Sequence, residues 1–361
     1  MSDKKPYIVY LSNWLFGFFF SFLFVWVLSF FFCDTVHTFS YSTEIETWVR
    51  PPGSIHRHRS EGWGDVWFGR MDVIGEADIS LIKTPSVVIW GDSHMEALQI
   101  EQKNRMPQVL TDMFRADNIN TFSAFGVGMS GESIADYYLK IPRYEKVAEI
   151  KAHYIIICDI SDALPDQSTA AHAVYLSEPA YRIVDTKKVP DHINIRKFLR
   201  KFELDFLWAS AVSILKDTKL RFMPGPFDSD KNVIDDGYPL SVNEPLNFIL
   251  HSLRHKTEKP IIFVYCPHLP AIKDNTVTFE NKEHDSVDVF KNLCFKNGIG
   301  FIDMTNEFCS NYKETGKFPR GFQNSLVSQG HFNRDGHRII AKAIYKNILS
   351  TKIIPNAVYT N

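Results

Sequence analysis

Four consecutive residues, Gly91-Asp92-Ser93-His94, carry the clearest chemical signal in the sequence. They follow the apolar run 86–90 and precede a helix-like stretch at 95–109. A serine on the turn between a strand and a helix projects its hydroxyl from the edge of the sheet, where backbone N–H groups can stabilise a developing oxyanion. Such a serine is well placed for nucleophilic attack, although Asp and Ser also cap ordinary helix N-termini.

A serine nucleophile needs a base, and histidine is the usual one. Two histidines, His331 and His337, stand in the segment that follows the last apolar run. His331 lies in a loop and can point back at the serine, whereas His337 falls inside a helix-like stretch and is expected to pack or to face solvent. We therefore expect His331 to be the base. Because adjacent side chains at a helix start diverge, His94 is given a modulating or substrate-contacting role.

Polar and glycine-rich loops follow two other apolar runs. The turn 126–133 is rich in glycine, which tolerates the dihedral angles that bring backbone N–H groups close to an anionic oxygen. An ordinary tight strand-to-helix turn is the alternative reading. The polar segment Asp159-Ile160-Ser161-Asp162 follows the next run. Since the carboxyl ends of parallel strands meet at one edge of a sheet, we expect these loops to converge on Ser93.

The elements that must position these loops are predicted from five short, nearly continuous apolar runs, at 86–90, 120–125, 154–158, 260–265 and 299–303. Runs of this kind are typical of strands covered on both faces in a parallel sheet. Helix-like stretches separate most of them, at 94–115, 132–149, 284–296 and about 334–349. The alternation predicts a three-layer α/β/α domain with about five parallel strands.

The chain divides into four parts: a cytoplasmic stub with a signal anchor at 1–34, a connecting and wrapping segment at 35–80, the α/β domain at 81–350, and a tail at 351–361. An insertion at 163–258 separates the third strand from the fourth and is roughly three times as long as an ordinary crossover. It is a candidate lid or substrate-shaping subdomain. A structural elaboration without contact to substrate fits the sequence equally well.

The N-terminal segment is long and apolar enough to cross a bilayer. No charged residue stands between Lys5 and Asp34, and about 20 apolar residues suffice for a span. Lys4 and Lys5 precede the segment, and no Lys or Arg follows before Arg50. The positive-inside rule then places the N-terminus in the cytoplasm and the domain outside it, in the periplasm of a Gram-negative cell. A cleaved signal peptide is the alternative, but the run is too long and lacks a small-residue cleavage site.

The composition excludes some classes of partner. A net charge of −2 gives no basic excess for nucleic acid. The five cysteines cannot all pair within one chain: Cys158 and Cys266 are expected to be buried, while Cys294 and Cys309 could form a disulfide. No spacing of Cys and His suggests zinc, and we expect neither a metal nor another cofactor.

These residues resemble the SGNH (GDSL-like) hydrolase superfamily over about 85–350, apart from the insertion. Gly91-Asp92-Ser93 is similar to that family's nucleophile motif, and Gly131 falls where its second oxyanion-hole donor stands. The stretch His331-Phe332-Asn333, followed by Gly336, is similar to the one that begins with the catalytic His. The resemblance implies a flavodoxin-like sheet and metal-free ester chemistry. It also implies an oxyanion hole made of the Ser and Gly backbone N–H groups and an Asn side chain.

The chain departs from the family pattern at two positions. The family's Gly-x-Asn-Asp is replaced by Asp159-Ile160-Ser161-Asp162, so the Asn amide is missing and only the Ser161 hydroxyl could partly replace it. Loss of one oxyanion donor can cost about 10²–10³ in rate. The family's Asp three residues before the His is Ser328 here. The His331 ring could be oriented by Ser328, by a backbone carbonyl, or by either aspartate of the 159–162 segment.

The motif Gly-Asp-Ser-His is similar to SGNH domains of bacterial envelope systems that add or remove O-acetyl groups on polysaccharides. The leading hypothesis is therefore a membrane-anchored esterase or O-acyltransferase that acts on an envelope glycan. Its expected partners are an acylated glycan or acyl donor, the membrane, and a multi-pass acyltransferase. A catalytically degenerate glycan-binding or assembly protein is the alternative. A lipase is disfavoured because the sequence shows no second amphipathic membrane-binding stretch.

Overall fold

The computed structural model describes most of the chain, over residues 5–74, 85–160, 174–177, 180–183, 185, 189–190, 192–208, 243–351 and 353–354. Ser161 and Asp162, both predicted near the site, lie outside these ranges. Much of the 163–258 insertion and most of the 351–361 tail also lie outside them.

A long helix and two hairpins precede the central sheet. Helix α1 (Lys5–Phe32) consists almost wholly of the apolar N-terminal run. The two hairpins pair strands β1 (Ser40–Ser42) with β2 (Thr47–Val49), and β3 (Ile55–His58) with β4 (Gly64–Trp67). A 3₁₀ turn (Arg70–Asp72) then leads into the short strand β5 (Val73–Ile74). The predicted wrapping segment thus forms strands of its own.

Five parallel strands form the body of the central sheet, and they are β6 (Ser86–Gly91), β7 (Ser123–Gly128), β8 (Ile150–Ile157), β11 (Ile261–Tyr265) and β14 (Gly300–Asp303). Their order across the sheet is β14-β11-β8-β6-β7, and β5 adds an antiparallel edge beside β7. Numbered along the chain, the parallel strands run 2-1-3-4-5, which is the flavodoxin-like order. The predicted α/β fold with five parallel strands is confirmed.

Within the described residues, the helices of the domain are α2 (Ser93–Glu96), α3 (Met106–Ala116), α4 (Ile134–Glu145), α5 (Ile193–Lys201), α6 (Asn243–Arg254), α7 (His284–Lys296), α8 (Thr305–Thr315) and α9 (Arg334–Ser350). A 3₁₀ turn covers Gln102–Asn104. Two further hairpins pair β9 (Val174–Ser177) with β10 (Ala180–Ile183), and β12 (Ala271–Lys273) with β13 (Thr276–Thr278).

The two faces of the sheet carry separate apolar cores. Alternate residues of β6 point to opposite faces: Val88 and Trp90 pack with α4, α6 and α7, whereas Val87 and Ile89 pack with α3, α8 and α9. This is the predicted three-layer arrangement. Cys158 and Cys266 are buried in the second of these cores, as expected. The disulfide considered for Cys294 and Cys309 is not formed, and both thiols are free and buried.

Several predicted elements have different bounds in the structure. The third strand starts at Ile150 rather than 154, and the helix predicted over 132–149 lies at Ile134–Glu145. The helix predicted over 94–115 is broken, because α2 ends at Ala97 in the left-handed region (φ 47°) and α3 starts again with Pro107 in its first turn. The second strand lies at Ser123–Gly128 rather than 120–125. The glycines of this strand interrupt the apolar run, so the hydrophobic pattern did not show where the strand lies. A Cβ on Gly128 would lie 2.7 Å from the Gly91 carbonyl oxygen, so glycine permits the close approach of the two strand ends.

Candidate active site

Ser93 stands at the point where the strand order reverses. It is the first residue of α2, and only Asp92 separates it from the end of β6. Strand β6 has β7 on one side and β8 on the other. Crevices at such switch points are where open α/β sheets bind ligands. The Asp92 carboxylate accepts a hydrogen bond from the His94 backbone N–H (2.9 Å) and so caps α2. Burial raises the pKa of Asp92, against the opposing effect of this hydrogen bond.

The glycine-rich loop after β7 is tied to α2 by buried charges. Glu96, at the end of α2, accepts a hydrogen bond from the Ser130 backbone N–H (3.1 Å). Arg50 forms a buried ion pair with the same carboxylate and a second one with Asp72 (3.1 Å). Gly131 follows Ser130 with φ 83°, a conformation that favours glycine. The contact therefore fixes the loop that carries the predicted second oxyanion donor relative to Ser93.

His331 is held by a carboxylate that the sequence analysis did not identify. Glu61, in the turn between β3 and β4, accepts a hydrogen bond from the His331 backbone N–H (3.0 Å) and a short one from the ring Nδ1. The His331 and Glu61 side chains are 27% and 16% exposed. Burial acts to raise the pKa of Glu61, but the hydrogen bonds from His331 outweigh it and the pKa is lowered. Since Nδ1 faces an ionised carboxylate, Nε2 is the nitrogen left to accept a proton.

The other groups proposed to orient His331 have different roles in the structure. Ser328 is buried, and its Oγ has no hydrogen-bond partner among the described residues. Asp159 pairs instead with His268 (3.5 Å). Burial acts to raise the pKa of Asp159, but His268 and the charge of Arg320 lower it. Glu61, rather than Ser328 or Asp159, is the group bonded to Nδ1 of the His331 ring.

His94 lies beside the base and against a buried arginine. The ring centroids of His94 and His331 are 4.9 Å apart. Arg320 Nη1 lies 3.3 Å from the Nε2 atom of His94. Burial and the Arg320 charge lower the pKa of His94 well below its usual value. His94 is therefore neutral and a poor proton acceptor, which favours His331 as the base.

Arg320 was missed by the sequence analysis, because no motif marks it. Its guanidinium is buried, donates to the carbonyl oxygens of Gly330 (3.0 Å) and Cys266 (2.8 Å), and lies 4.1 Å from the centroid of the Phe332 ring. It thus joins the loop after β11 to the loop that carries His331. Arg320 holds the His331 loop in place and puts a positive charge beside the site.

Asn333 and His337 serve the structure of α9. The Asn333 side chain caps the helix by accepting from the backbone N–H groups of Asp335 (3.0 Å) and Gly336 (3.1 Å). His337 is fully buried and accepts a hydrogen bond from the Met106 backbone N–H (3.2 Å), as expected for a packing residue. Burial lowers the pKa of His337 to about 3.

Ser93 and His331 lie at one edge of the sheet, but no direct hydrogen bond joins the Ser93 hydroxyl to the His331 ring among the described residues. Catalytic hydrogen bonds are often long in unliganded sites and tighten when substrate binds. The arrangement can supply a serine at a helix N-terminus, a histidine with a free Nε2, and a carboxylate behind that histidine. These three groups are the ones that acyl transfer through a serine ester requires.

Comparisons with known proteins add a weak likeness in fold. No family model matches the sequence, and no curated protein matches it significantly. An acetyl xylan esterase, AlAXEase, aligns over 73% of this chain and 99% of its own, with 12% identity and a TM-score of 0.38. A lipase/acylhydrolase from Enterococcus faecalis aligns over 74% and 96%, with 11% identity and a TM-score of 0.38. The psychrotrophic esterase EstA from Pseudoalteromonas sp. aligns over 74% and 98%, with 10% identity and a TM-score of 0.38.

Proposed function

We propose that this chain is a membrane-anchored, extracytoplasmic serine esterase or O-acyltransferase of the SGNH superfamily, acting on O-acetyl groups of a cell-envelope glycan. One observation carries the proposal. The Glu61–His331 pair lies at the same edge of the sheet as Ser93, where the strand order reverses. TM-scores of 0.38 are too low for the likeness to known esterases to support a function, so these residues are the support for the proposal.

In the proposed reaction, the Ser93 hydroxyl attacks the acyl carbonyl while His331 Nε2 takes its proton. Glu61 holds the Nδ1 proton and stabilises the imidazolium that forms. The new oxyanion is held by the backbone N–H groups of Ser93 and Gly131. Collapse of the intermediate breaks the bond to the sugar oxygen, which leaves with the proton from His331. Water or a second sugar hydroxyl then attacks the Ser93 ester and gives its proton to His331. His331 passes a proton to the leaving Ser93 oxygen, and the products are the free serine and either acetate or an acetylated sugar.

The identification of Glu61 weakens the alternative of a degenerate binding protein. That alternative rested on a missing Asn donor and a missing Asp before the catalytic His. In the structure a carboxylate does reach the His331 ring, from the opposite end of the chain. The half-buried Glu61 carboxylate on Nδ1 gives His331 an orienting group of the kind that serine catalysis uses.

The proposed anchor is α1. Its segment Tyr7–Phe32 comprises 26 residues and is long and apolar enough to cross a membrane. Nearly all its large apolar side chains are exposed, so the folded domain does not bury them. A core helix of a soluble protein would bury one face. The two lysines before it support a cytoplasmic N-terminus.

The first experiment is p-nitrophenyl acetate hydrolysis by the full chain in nanodiscs, with Ser93→Ala and His331→Ala beside it. His284→Ala is the matched control, because that side chain is 73% exposed and lies on α7. Both site variants are expected to lose activity, and the control is expected to keep it. A folded wild type that is no faster than Ser93→Ala would refute simple esterase activity and leave a strict transferase or a binding protein. Acetylated oligosaccharides, with and without an acceptor sugar, then separate hydrolysis from transfer.

A further inference from the structure

The helix α5 exposes an apolar stripe that the proposed reaction does not use. Ile195, Phe198 and Phe202 recur at positions i, i+3 and i+7, and are 53%, 57% and 51% exposed. The opposite side carries four basic residues, Arg196, Lys197, Arg200 and Lys201. A helix with one apolar and one basic side is typical of elements that lie in the plane of a membrane surface.

This stripe lies beside the proposed anchor. The chain that follows α5 packs onto α1 through the rings of Phe206 and Phe22, whose centroids are 5.6 Å apart. Trp26 of α1 donates its indole N–H to the Phe202 carbonyl oxygen (3.4 Å). Because the end of α5 lies against α1, the medium that surrounds this part of α1 also contacts the exposed face of α5.

The level of the bilayer along α1 follows from its length. A hydrocarbon core of about 30 Å needs about 20 helical residues, and the apolar run is longer than that. If the span starts at Tyr7, it ends near Trp26, and tryptophan is enriched at the membrane–water interface. The next turn already meets charged groups, since the Arg57 guanidinium lies 5.1 Å from the centroid of the Phe30 ring.

The charged groups at this level also hold the segment that contains α5. The Asp205 carboxylate accepts hydrogen bonds from the Val36 backbone N–H (2.9 Å) and from Arg57 (3.2 Å). Arg200 of α5 donates to the same carboxylate (3.2 Å). Arg200 thus fixes the basic side of α5 to the domain, just above the membrane–water interface. The apolar stripe on the other side faces the lipid.

We propose that residues 193–208 form a second membrane contact, in which α5 lies in the outer-leaflet interface beside α1. Ile195, Phe198 and Phe202 insert among the acyl chains, and Lys197 and Lys201 meet anionic phospholipid headgroups. Long lysine side chains can extend from an apolar level to the headgroups. The sequence analysis did not identify this amphipathic stretch. This inference rests on the proposed anchoring by α1.

The test uses the full chain in nanodiscs of anionic phospholipid, in a Cys33→Ser background whose remaining cysteines are buried. A polarity-sensitive fluorophore is attached at Phe198→Cys or Phe202→Cys, and at Phe295→Cys as the control. Phe295 is 54% exposed, but lies on α7, which packs on the sheet. Quenching by nitroxide-labelled lipid is expected to be at least about threefold stronger at 198 and 202 than at 295. Equal quenching at the three positions overturns the proposal.

Further measurements distinguish a failure of the α1 anchor from a failure of the α5 contact. Alkaline extraction of cell membranes reports on α1: release of the whole chain refutes both the anchor and the α5 contact. Retention together with water-accessible labels at 198 and 202 refutes the α5 contact alone. Labels that are shielded in cell membranes but exposed in lipid-only nanodiscs would assign the stripe to a protein partner, which also overturns the lipid assignment.

The Lys197→Glu/Lys201→Glu variant is expected to weaken quenching in anionic nanodiscs and to change it little in zwitterionic ones.

Discussion

The Glu61→Gln variant removes one negative charge from the site and leaves the side-chain volume almost unchanged. Glu61 accepts two hydrogen bonds from His331, one from the ring and one from the backbone N–H (3.0 Å). The two bonds go to different oxygens, Oε1 and Oε2, and a glutamine in the same position keeps an oxygen at only one of them. Its NH₂ group then takes the other place and can face Nδ1 as a donor. The ring then carries its proton on Nε2, the nitrogen that must receive the proton of Ser93.

Two effects set the size of the loss. A hydrogen bond to a charged group contributes about 1.5–3 kcal/mol, which is about 10- to 160-fold in rate. The wrong tautomer adds to this, and the corresponding Asp→Asn change in serine proteases lowers kcat by about 10⁴. We therefore expect Glu61→Gln to lower kcat by about 10²–10⁴. The Glu61→Asp variant keeps the charge and should recover part of the activity.

The assay is the kcat for p-nitrophenyl acetate, measured on the full chain in nanodiscs, with thermal unfolding of each variant to show that it folds. Ser328→Ala provides the contrast, since that hydroxyl makes no hydrogen bond among the described residues, and it should stay within about twofold of wild type. Exposed Glu307 on α8 gives the matched control, Glu307→Gln. A Glu61→Gln enzyme within about threefold of wild type, beside an inactive Ser93→Ala, would refute the role of Glu61.

Three further outcomes follow from the described contacts. His331→Ala should lower kcat by about 10²–10⁴, which is the range of general-base catalysis. His94→Ala should lower kcat by less than about tenfold. The reverse order of the two effects would make His94 the base. Gly128→Ala places a methyl group 2.7 Å from the Gly91 carbonyl oxygen and should destabilise the fold by about 1–3 kcal/mol in urea unfolding. His337 has a folded pKa lowered to about 3, so it stabilises the fold above its unfolded pKa of about 6.5, and this stability is lost as the pH falls toward 3. His337→Asn should flatten the decline in unfolding free energy between about pH 7 and pH 5, and an unchanged slope would contradict that assignment.

The sequence predicted the elements whose signal is local. Strands β6, β11 and β14 are continuous apolar runs, and their predicted bounds agree with the structure to within about one residue. Helix α7 was predicted with its observed bounds, His284–Lys296. Strand β7 was misplaced because it contains two glycines, which no apolar pattern reveals. Gly128 lies against the end of the neighbouring strand, and Gly126 lies against the Met95 side chain. The break at Ala97 has the same kind of cause, since an alanine carries no sequence signal for a left-handed residue.

The residues of the candidate site also divide into those that a local sequence motif marks and those that no motif marks. Ser93 and His331 could be proposed because each stands in a short motif after a predicted strand. Glu61 could not, since it meets His331 across 270 positions of sequence, and no periodicity links a turn between two hairpin strands to a loop before the last helix. Arg320 was missed for a similar reason. Its contacts with Cys266 and Gly330 exist only once the strands are placed side by side.

The position of Glu61 ties the proposed catalysis to the proposed membrane attachment. Arg59, two residues earlier, donates to the Phe31 carbonyl oxygen at the end of α1 (3.1 Å). Trp63, two residues later, packs against Phe32 with ring centroids 6.3 Å apart. The turn that carries the carboxylate is thus held on both sides by the last residues of α1, the proposed anchor. Segment 35–80 therefore does more than join α1 to the domain, because it carries the carboxylate of the proposed site and places it from the side of α1.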